Sequence, residues 1–346
     1  MSTSNTVKAA AKLLQENYRI PADSVHIYAR LWELETWLRE MVYIELKSAC
    51  GASWEKNLKP VEEKFLKDKR LIHMATPQRG PLGYLTLGEL WEVMSSATNW
   101  PIFQCYFPPK HLVEAKLTTE LLQIRHRVAH CRTPHNDDLA RVEQFLRDID
   151  QSFWEFTTSY NDEHPIIPAK SNPIAGAFID DDQYPWVEVA TNKWTRLGRK
   201  QLHARYTITV ALTVRPWVEK SLLQAQITPN RGVLYDVNVQ ALDISSLDYE
   251  EILGKTKHLH NRCIHIVLDQ IGQSVRLTFP SVLPVNDIVE TVEVFREMVL
   301  RAIRHSAQQP EDFGNIVASR WPEYVIGPSN PLTFLCPDMP GKFFST

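Results

Sequence analysis

The chain has no run of about 18 uninterrupted apolar residues, which excludes a helical membrane span of ordinary length. Its first segment, MSTSNTVKAAAKLLQENYRI, carries lysines among its apolar positions and has no apolar h-region, so no secretory signal is expected there. Cysteine is scarce. Cys50, Cys105, Cys131, Cys263 and Cys336 are odd in number, widely spaced and without a CxxC pair. That argues against a disulfide framework and for reduced thiols, and the expected location is cytoplasmic. An excess of positive charge is also missing. With 38 Lys and Arg against 41 Asp and Glu, the formal charge is −3, so a polyanion could be held only by a local patch. No internal repeat, low-complexity run, phosphate loop, nucleophile elbow or paired metal motif is found, and no cofactor or metal is expected.

What is present is a well-mixed globular composition: 44% hydrophobic and 23% charged residues, with a mean hydropathy of −0.28. At 346 residues, two domains are the natural expectation.

The first half reads as helices. In PADSVHIYARLWELETWLREMVYIEL, the residues Ile27, Leu31, Leu34, Leu38 and Met41 recur at three- and four-residue steps behind an Asp23/Ser24 cap, predicting a long amphipathic helix. A second helix is expected in WEKNLKPVEEKFLKDKRL, split or kinked at Pro60, and a third in TLGELWEVMSSA, where Thr86 and Glu89 have capping-box spacing. A fourth carries Leu117, Leu121, Ile124 and Val128 and is stopped by Pro134. A fifth starts at Asn136/Asp137 with Leu139, Val142, Leu146, Ile149 and Phe153 on one face. Together they predict a helical bundle over residues 1–160.

From 161 to 200 the chain collects prolines and acids without a helical period and is expected to be a linker or docking segment. Over 201–346 an α+β domain is expected. Tyr206, Ile208, Val210, Leu212 and Val214 alternate with polar partners, as do Val233, Tyr235, Val237 and Val239. CIHIVLD and SVRLTF flank the turn-like QIGQ as a hairpin, and Ile288, Val292, Phe295, Val299 and Ile303 mark a helix. The fold class is thus α then α+β: a helical bundle, then a mostly antiparallel sheet covered on one face by that helix. The tail EYVIGPSNPLTFLCPDMPGKFF is expected as an extended strap.

Chemistry concentrates in IRHRVAHCRTPHNDD, from Ile124 to Asp138. His126 and His130 fall one helical turn apart on a polar face, with Arg125 about 100° away from His126 and the apolar stripe elsewhere. A histidine in a final helical turn can move a proton near neutral pH, and a guanidinium beside it can grip a phosphate and stabilise the added charge of a pentavalent transition state. These are the needs of metal-independent RNA cleavage by attack of the substrate's own 2′-hydroxyl. Arg127 and Arg132 are candidates for substrate backbone contacts. Arg–x4–His spacing is unspecific by itself, and a solvated cationic helix end is its bland reading. A metal reading, with His111 and His135 near in sequence, lacks an HExxH glutamate.

Arg125, His126 and His130 within IRHRVAH resemble the motif of the HEPN superfamily, whose ribonuclease members carry an arginine, a polar residue and, further on, a histidine near the end of a bundle helix. DDLARVEQFLRDI and LWELETWLREMV resemble neighbouring helices of HEPN domains of the abortive-infection and RNA-quality-control types. The resemblance spans roughly residues 20 to 160. Many members have asparagine after the arginine, where His126 stands here. The resemblance implies a homodimer with both motifs facing one cleft, and an endoribonuclease that leaves a cyclic phosphate, in a phage-defence or toxin setting. Arg125, His126 and His130 would be its catalytic residues. The second domain would then bind a regulatory protein or ligand. The competing expectation is a catalytically inactive HEPN module for dimerisation and binding.

Other features read more blandly. His258, His260, Cys263 and His265 match no common closed zinc site and are expected as exposed strand-end residues. Thr207, Thr209, Arg215, Gln240, Arg276 and Thr278 form a polar sheet face, expected to be solvated unless it serves as a platform for RNA or a small effector. Trp32, Trp37, Trp54 and Trp91 are expected in the core or a dimer interface, and Cys131 as a packing residue.

Overall fold

In the computed structural model, the described residues are 5–58, 61–73, 80–161, 166, 168, 171–179, 186–190, 193–200, 204–219, 230–242, 246–304, 310 and 312–344. The chain divides into two units. One comprises Met1–Ile44, Lys56–Phe156 and Asp338–Thr346, and the other Glu45–Glu55 and Thr157–Pro337. In chain order the class is α followed by α+β.

The helical unit begins with α1 (Asn5–Tyr18) and α2 (Ala22–Cys50), the last turns of α2 belonging to the other unit. Every apolar position expected on one face of α2, from Ile27 to Met41, is buried. After a 3-10 segment, Gly51–Asn57, α3 (Glu62–Lys69) follows; Lys59 and Pro60 lie outside the described residues. Helix α4 (Leu87–Ser95) starts with the expected capping box: Glu89 N–H donates to the Thr86 hydroxyl, and the Glu89 carboxylate accepts from Thr86 N–H. A short α5 (Trp100–Phe103) leads into α6 (Lys110–Lys116), a π-helical turn (Leu117–Leu121) and α7 (Leu122–Ala129).

The fifth expected helix is two, α8 (Asp138–Asp148) and α9 (Asp150–Thr158). Ile149 leaves helical geometry at the junction, with φ −107° and ψ 4°. Asp150 then accepts hydrogen bonds from the backbone N–H groups of Phe343 and Phe344, which periodicity cannot reveal. These two phenylalanines are buried; Phe343 stacks on Phe153, Phe344 meets Phe153 edge to face and Trp37 meets Phe343 edge to face, so the end of the described chain completes this core. Trp54 and Trp91 are buried, whereas Trp32 is 61% exposed and does not belong to the core.

In the α+β unit the region expected as a linker carries regular structure: α10 (Pro173–Ile179), β1 (Trp186–Ala190) and β2 (Lys193–Lys200). Asn172 explains α10, since its side-chain oxygen accepts from the N–H groups of Ile174 and Ala175. Strands β3 (Ala204–Val214) and β4 (Val233–Leu242) follow, then β5 (Ser246–Leu247), α11 (Tyr249–Thr256), the hairpin β6 (His265–Leu268) and β7 (Ser274–Pro280), and α12 (Val285–Arg301). The remaining elements are β8 (Ile303–Arg304), α13 (Phe313–Arg320), β9 (Val325–Ile326) and α14 (Pro331–Phe334). The main sheet has the order β1-β2-β3-β4-β7-β6-β9 and is antiparallel except for the parallel β6–β9 pair, while β5 and β8 pair separately. Ile303, expected at the end of the covering helix, therefore lies in a strand. The tail contributes β9 and α14 rather than an extended strap.

One sheet face packs Ile208, Val210, Leu212, Val237, Leu277 and their neighbours against Ile288, Val292, Phe295 and Val299 of α12, as the alternation predicts. The other face is polar. At its closed end the fully buried Arg215 donates from Nε to Glu45 at 2.9 Å, and Trp217 Nε1 donates to the same carboxylate at 2.6 Å. The histidine-rich segment is not exposed as expected. His260, Cys263 and His265 are buried; His260 Nε2 lies 3.1 Å from the Thr256 hydroxyl and His265 Nδ1 2.9 Å from the Tyr160 hydroxyl. Aromatic rings of Phe295, Trp321 and Tyr324 surround His260, and burial pushes it down to about 4. Among the described residues no cluster of three or more His, Cys, Asp or Glu is placed to hold a metal, and no helix is long and apolar enough to cross a membrane.

Candidate active site on the helical unit

The segment Lys110–Ala129 is wound in two registers. Thr118 and Thr119 donate their hydroxyls to the carbonyls of Glu114 and Ala115, at 2.7 and 2.6 Å, where the helix widens into the π turn. A π turn inserts one residue and rotates everything after it. Val113, Leu117, Leu121 and Ile124 nevertheless all remain buried, so the resetting keeps the apolar face inward on both sides of the insertion. His126 of α7 and His130 at its C-terminal cap are left exposed.

The helix ends in a Schellman motif. Arg132 N–H donates to Arg127 O at 3.0 Å and Cys131 N–H to Val128 O at 3.1 Å, with Cys131 in the left-handed region at φ +56°. Glycine is the usual residue there because it has no Cβ to clash. Cys131 is exposed rather than packed as expected. The following turn is clasped by Asp138. This buried carboxylate accepts from Arg127 Nε at 3.0 Å, Arg127 Nη2 at 2.6 Å and His135 N–H at 2.9 Å. Arg127 is therefore committed to a bidentate pair that fixes the chain after α7.

Arg125 is placed differently. Its Nε donates to Glu35 Oε1 at 2.6 Å, while Arg39 donates to Glu35 Oε2 at 2.8 Å and to the carbonyl of Leu85 at 3.0 Å. One carboxylate thus serves two guanidiniums and leaves net positive charge at this spot. The Arg125 side chain is 32% exposed, and its two Nη groups have no partner among the described residues. At the same helix end, the rings of His126 and His130 lie 4.3 Å apart between centroids at 67° to each other, and both residues are exposed. Arg132 is exposed, with no side-chain partner among the described residues. His111 and His135 are exposed and join no metal cluster among the described residues.

Glu35 and Arg39 are the participants that inspection of the motif alone misses. They occupy i, i+4 positions on α2, and the same helical face continues through Trp32 and Tyr28. Those two rings are 6.0 Å apart, and their residues are 61% and 54% exposed. The arrangement can fix a guanidinium with an open donor edge, offer two imidazoles for proton transfer and present aromatic faces along α2. No family model, curated protein or solved structure matches the chain.

Proposed function

We propose that the helical unit is a HEPN-type, metal-independent endoribonuclease that works as a homodimer, with the α+β unit controlling or directing it. The observation that carries this reading is the state of Arg125: anchored through Nε by Glu35, with its Nη edge open, beside the exposed His126–His130 pair. A guanidinium held in this way is preorganised for phosphate oxygens and gives up little freedom on binding.

In the proposed step, the substrate's 2′-oxygen attacks the adjacent phosphorus, the bond from phosphorus to the 5′-oxygen breaks, and a 2′,3′-cyclic phosphate and a 5′-hydroxyl are released. One histidine, assigned as His130, takes the proton of the 2′-hydroxyl. His126, in its protonated form, supplies the proton that the 5′-oxygen needs, so protons balance. Arg125 stabilises the extra negative charge on the non-bridging oxygens. Arg132 contacts a neighbouring phosphate. Arg127 is assigned no main substrate role, because Asp138 already takes up its Nε–Nη2 edge. Tyr28 and Trp32 beside this cationic site supply the stacking surface that single-stranded nucleic acid uses.

The test is cleavage of RNA pools in excess EDTA by the wild type and by an Arg125→Ala/His130→Ala variant shown to be folded. Cutting by the wild type alone supports the reading, and equal cutting by both rejects this site. The inactive binding module is favoured by one observation, the carboxylate of Glu35 already paired with Arg125. Under that reading the wild type cuts no pool, yet it dimerises, and substitution of Trp32 disrupts the dimer.

A further inference from the structure

We propose that the polar face of the seven-stranded sheet holds an oxyanion, the carboxylate or phosphate group of a small molecule, on the Nε–Nη2 edge of Arg276. The inference concerns the α+β unit alone and does not depend on ribonuclease activity.

Arg276 projects from the middle of β7 and is only partly exposed. Its Nη1 donates to Asn161 Oδ1 at 3.1 Å, which fixes the plane of the guanidinium. Nε and Nη2 are shut off from solvent and have no partner among the described residues. These two atoms form the edge that meets two oxygens of a carboxylate or phosphate in parallel. Two donors of a charged group left buried and unpaired are costly, and a bound oxyanion removes that cost.

The surroundings fit such a group. Across the sheet Arg276 stands opposite Asn238, and Asn238 opposite Thr209; these residues are partly exposed and their side chains make no hydrogen bond among the described residues. The next row, Asp236, Thr278 and His265, closes one end. Asp236 would oppose an anion, but its two oxygens accept from the hydroxyls of Thr213 and Thr278, at 3.2 and 2.6 Å. It forms no ion pair with Arg276 among the described residues. Arg215, another arginine of this face, is matched by Glu45. Arg276 is therefore a cation of this face left without a counter-charge among the described residues. Its donor edge, closed off from bulk solvent, suits a small ligand.

The experiment is thermal unfolding of the full chain in sodium phosphate and in sodium acetate, at constant ionic strength, for the wild type, Arg276→Gln and Arg276→Lys. At tenfold excess over Kd the wild-type Tm rises by about 3 °C. Both variants lose the shift, Arg276→Lys included, because an ammonium keeps the charge but not the fork. Whichever anion gives the larger shift identifies the group. A wild-type Tm unmoved by either anion up to about 100 mM, or an equal shift in all three proteins, overturns the proposal. Should both variants fail to fold, Asn161→Asp supplies the test: its carboxylate competes for Arg276, so the variant is expected to fold and to respond less to added anion, and an undiminished response counts against the site.

Discussion

Arg125 and Glu35 lie 90 positions apart in the chain and meet in a 2.6 Å hydrogen bond through the guanidinium Nε, the outer edge of the arginine staying open. The bond makes Glu35 a positioning residue for the proposed chemistry. Arg125→Lys keeps the charge but loses the two-pronged donor edge, and kcat/KM on RNA is expected to fall by about 10²-fold or more. Glu35→Gln retains a hydrogen-bond acceptor and is expected to cost about 10-fold, chiefly in kcat. Measured kinetics in which Glu35→Gln falls as far as Arg125→Lys would assign Glu35 a direct part instead.

Asp138 anchors the turn after α7 through Arg127 and His135. Asp138→Ala leaves a half-buried guanidinium without its partner, an expected loss of about 2–4 kcal/mol read from urea unfolding. A loss below about 0.5 kcal/mol would mean that the clasp is replaced by solvent and contributes little.

Cys131 holds a left-handed conformation that costs a side-chain-bearing residue about 1–2 kcal/mol. Cys131→Gly removes that strain but enlarges the entropy of the unfolded chain, so a net gain of about 0.5–1 kcal/mol is expected. The same variant should cut RNA as the wild type does, because the thiol has no role in the proposed step. A fall in activity with unchanged stability would place the thiol in the site.

His260 is pushed down to about 4 by burial first, with the positive charges of His258 and Lys257 adding to it. Its folded value lies below the unfolded one, so between about pH 6.5 and pH 4 the unfolded chain binds the extra proton and stability rises with pH. The contribution is complete above the unfolded value and is lost as pH falls through that window, on the order of 3 kcal/mol at most. Urea midpoints between pH 7 and pH 4 should show the fall, and His260→Gln should flatten it; an identical slope in the variant assigns the effect to other groups.

Features that depend on near neighbours were legible in the order of residues alone. The three- and four-residue spacing of Ile27 to Met41 specified α2 and its buried face, Thr86 and Glu89 specified the start of α4, and the alternation from Tyr206 to Val214 specified β3 and its core side. Periodicity and the Thr86/Glu89 cap are local, and the tertiary structure kept them, whereas the expected Asp23/Ser24 cap falls inside α2, which starts at Ala22. Nothing local marks the rest. The split at Ile149, the parallel pairing of β9 with β6, and the burial of His260 and His265 depend on partners distant in the chain. The candidate site divides in the same way. Arg125, His126 and His130 were legible as a polar set on one helix end, because helical geometry relates them directly. That Glu35 would anchor Arg125, that Asp138 would engage Arg127, and that the fork of Arg276 would be buried without a partner among the described residues was decided only by packing. A side chain's charge is written in the sequence, but its counter-charge is set by which elements come to lie beside it.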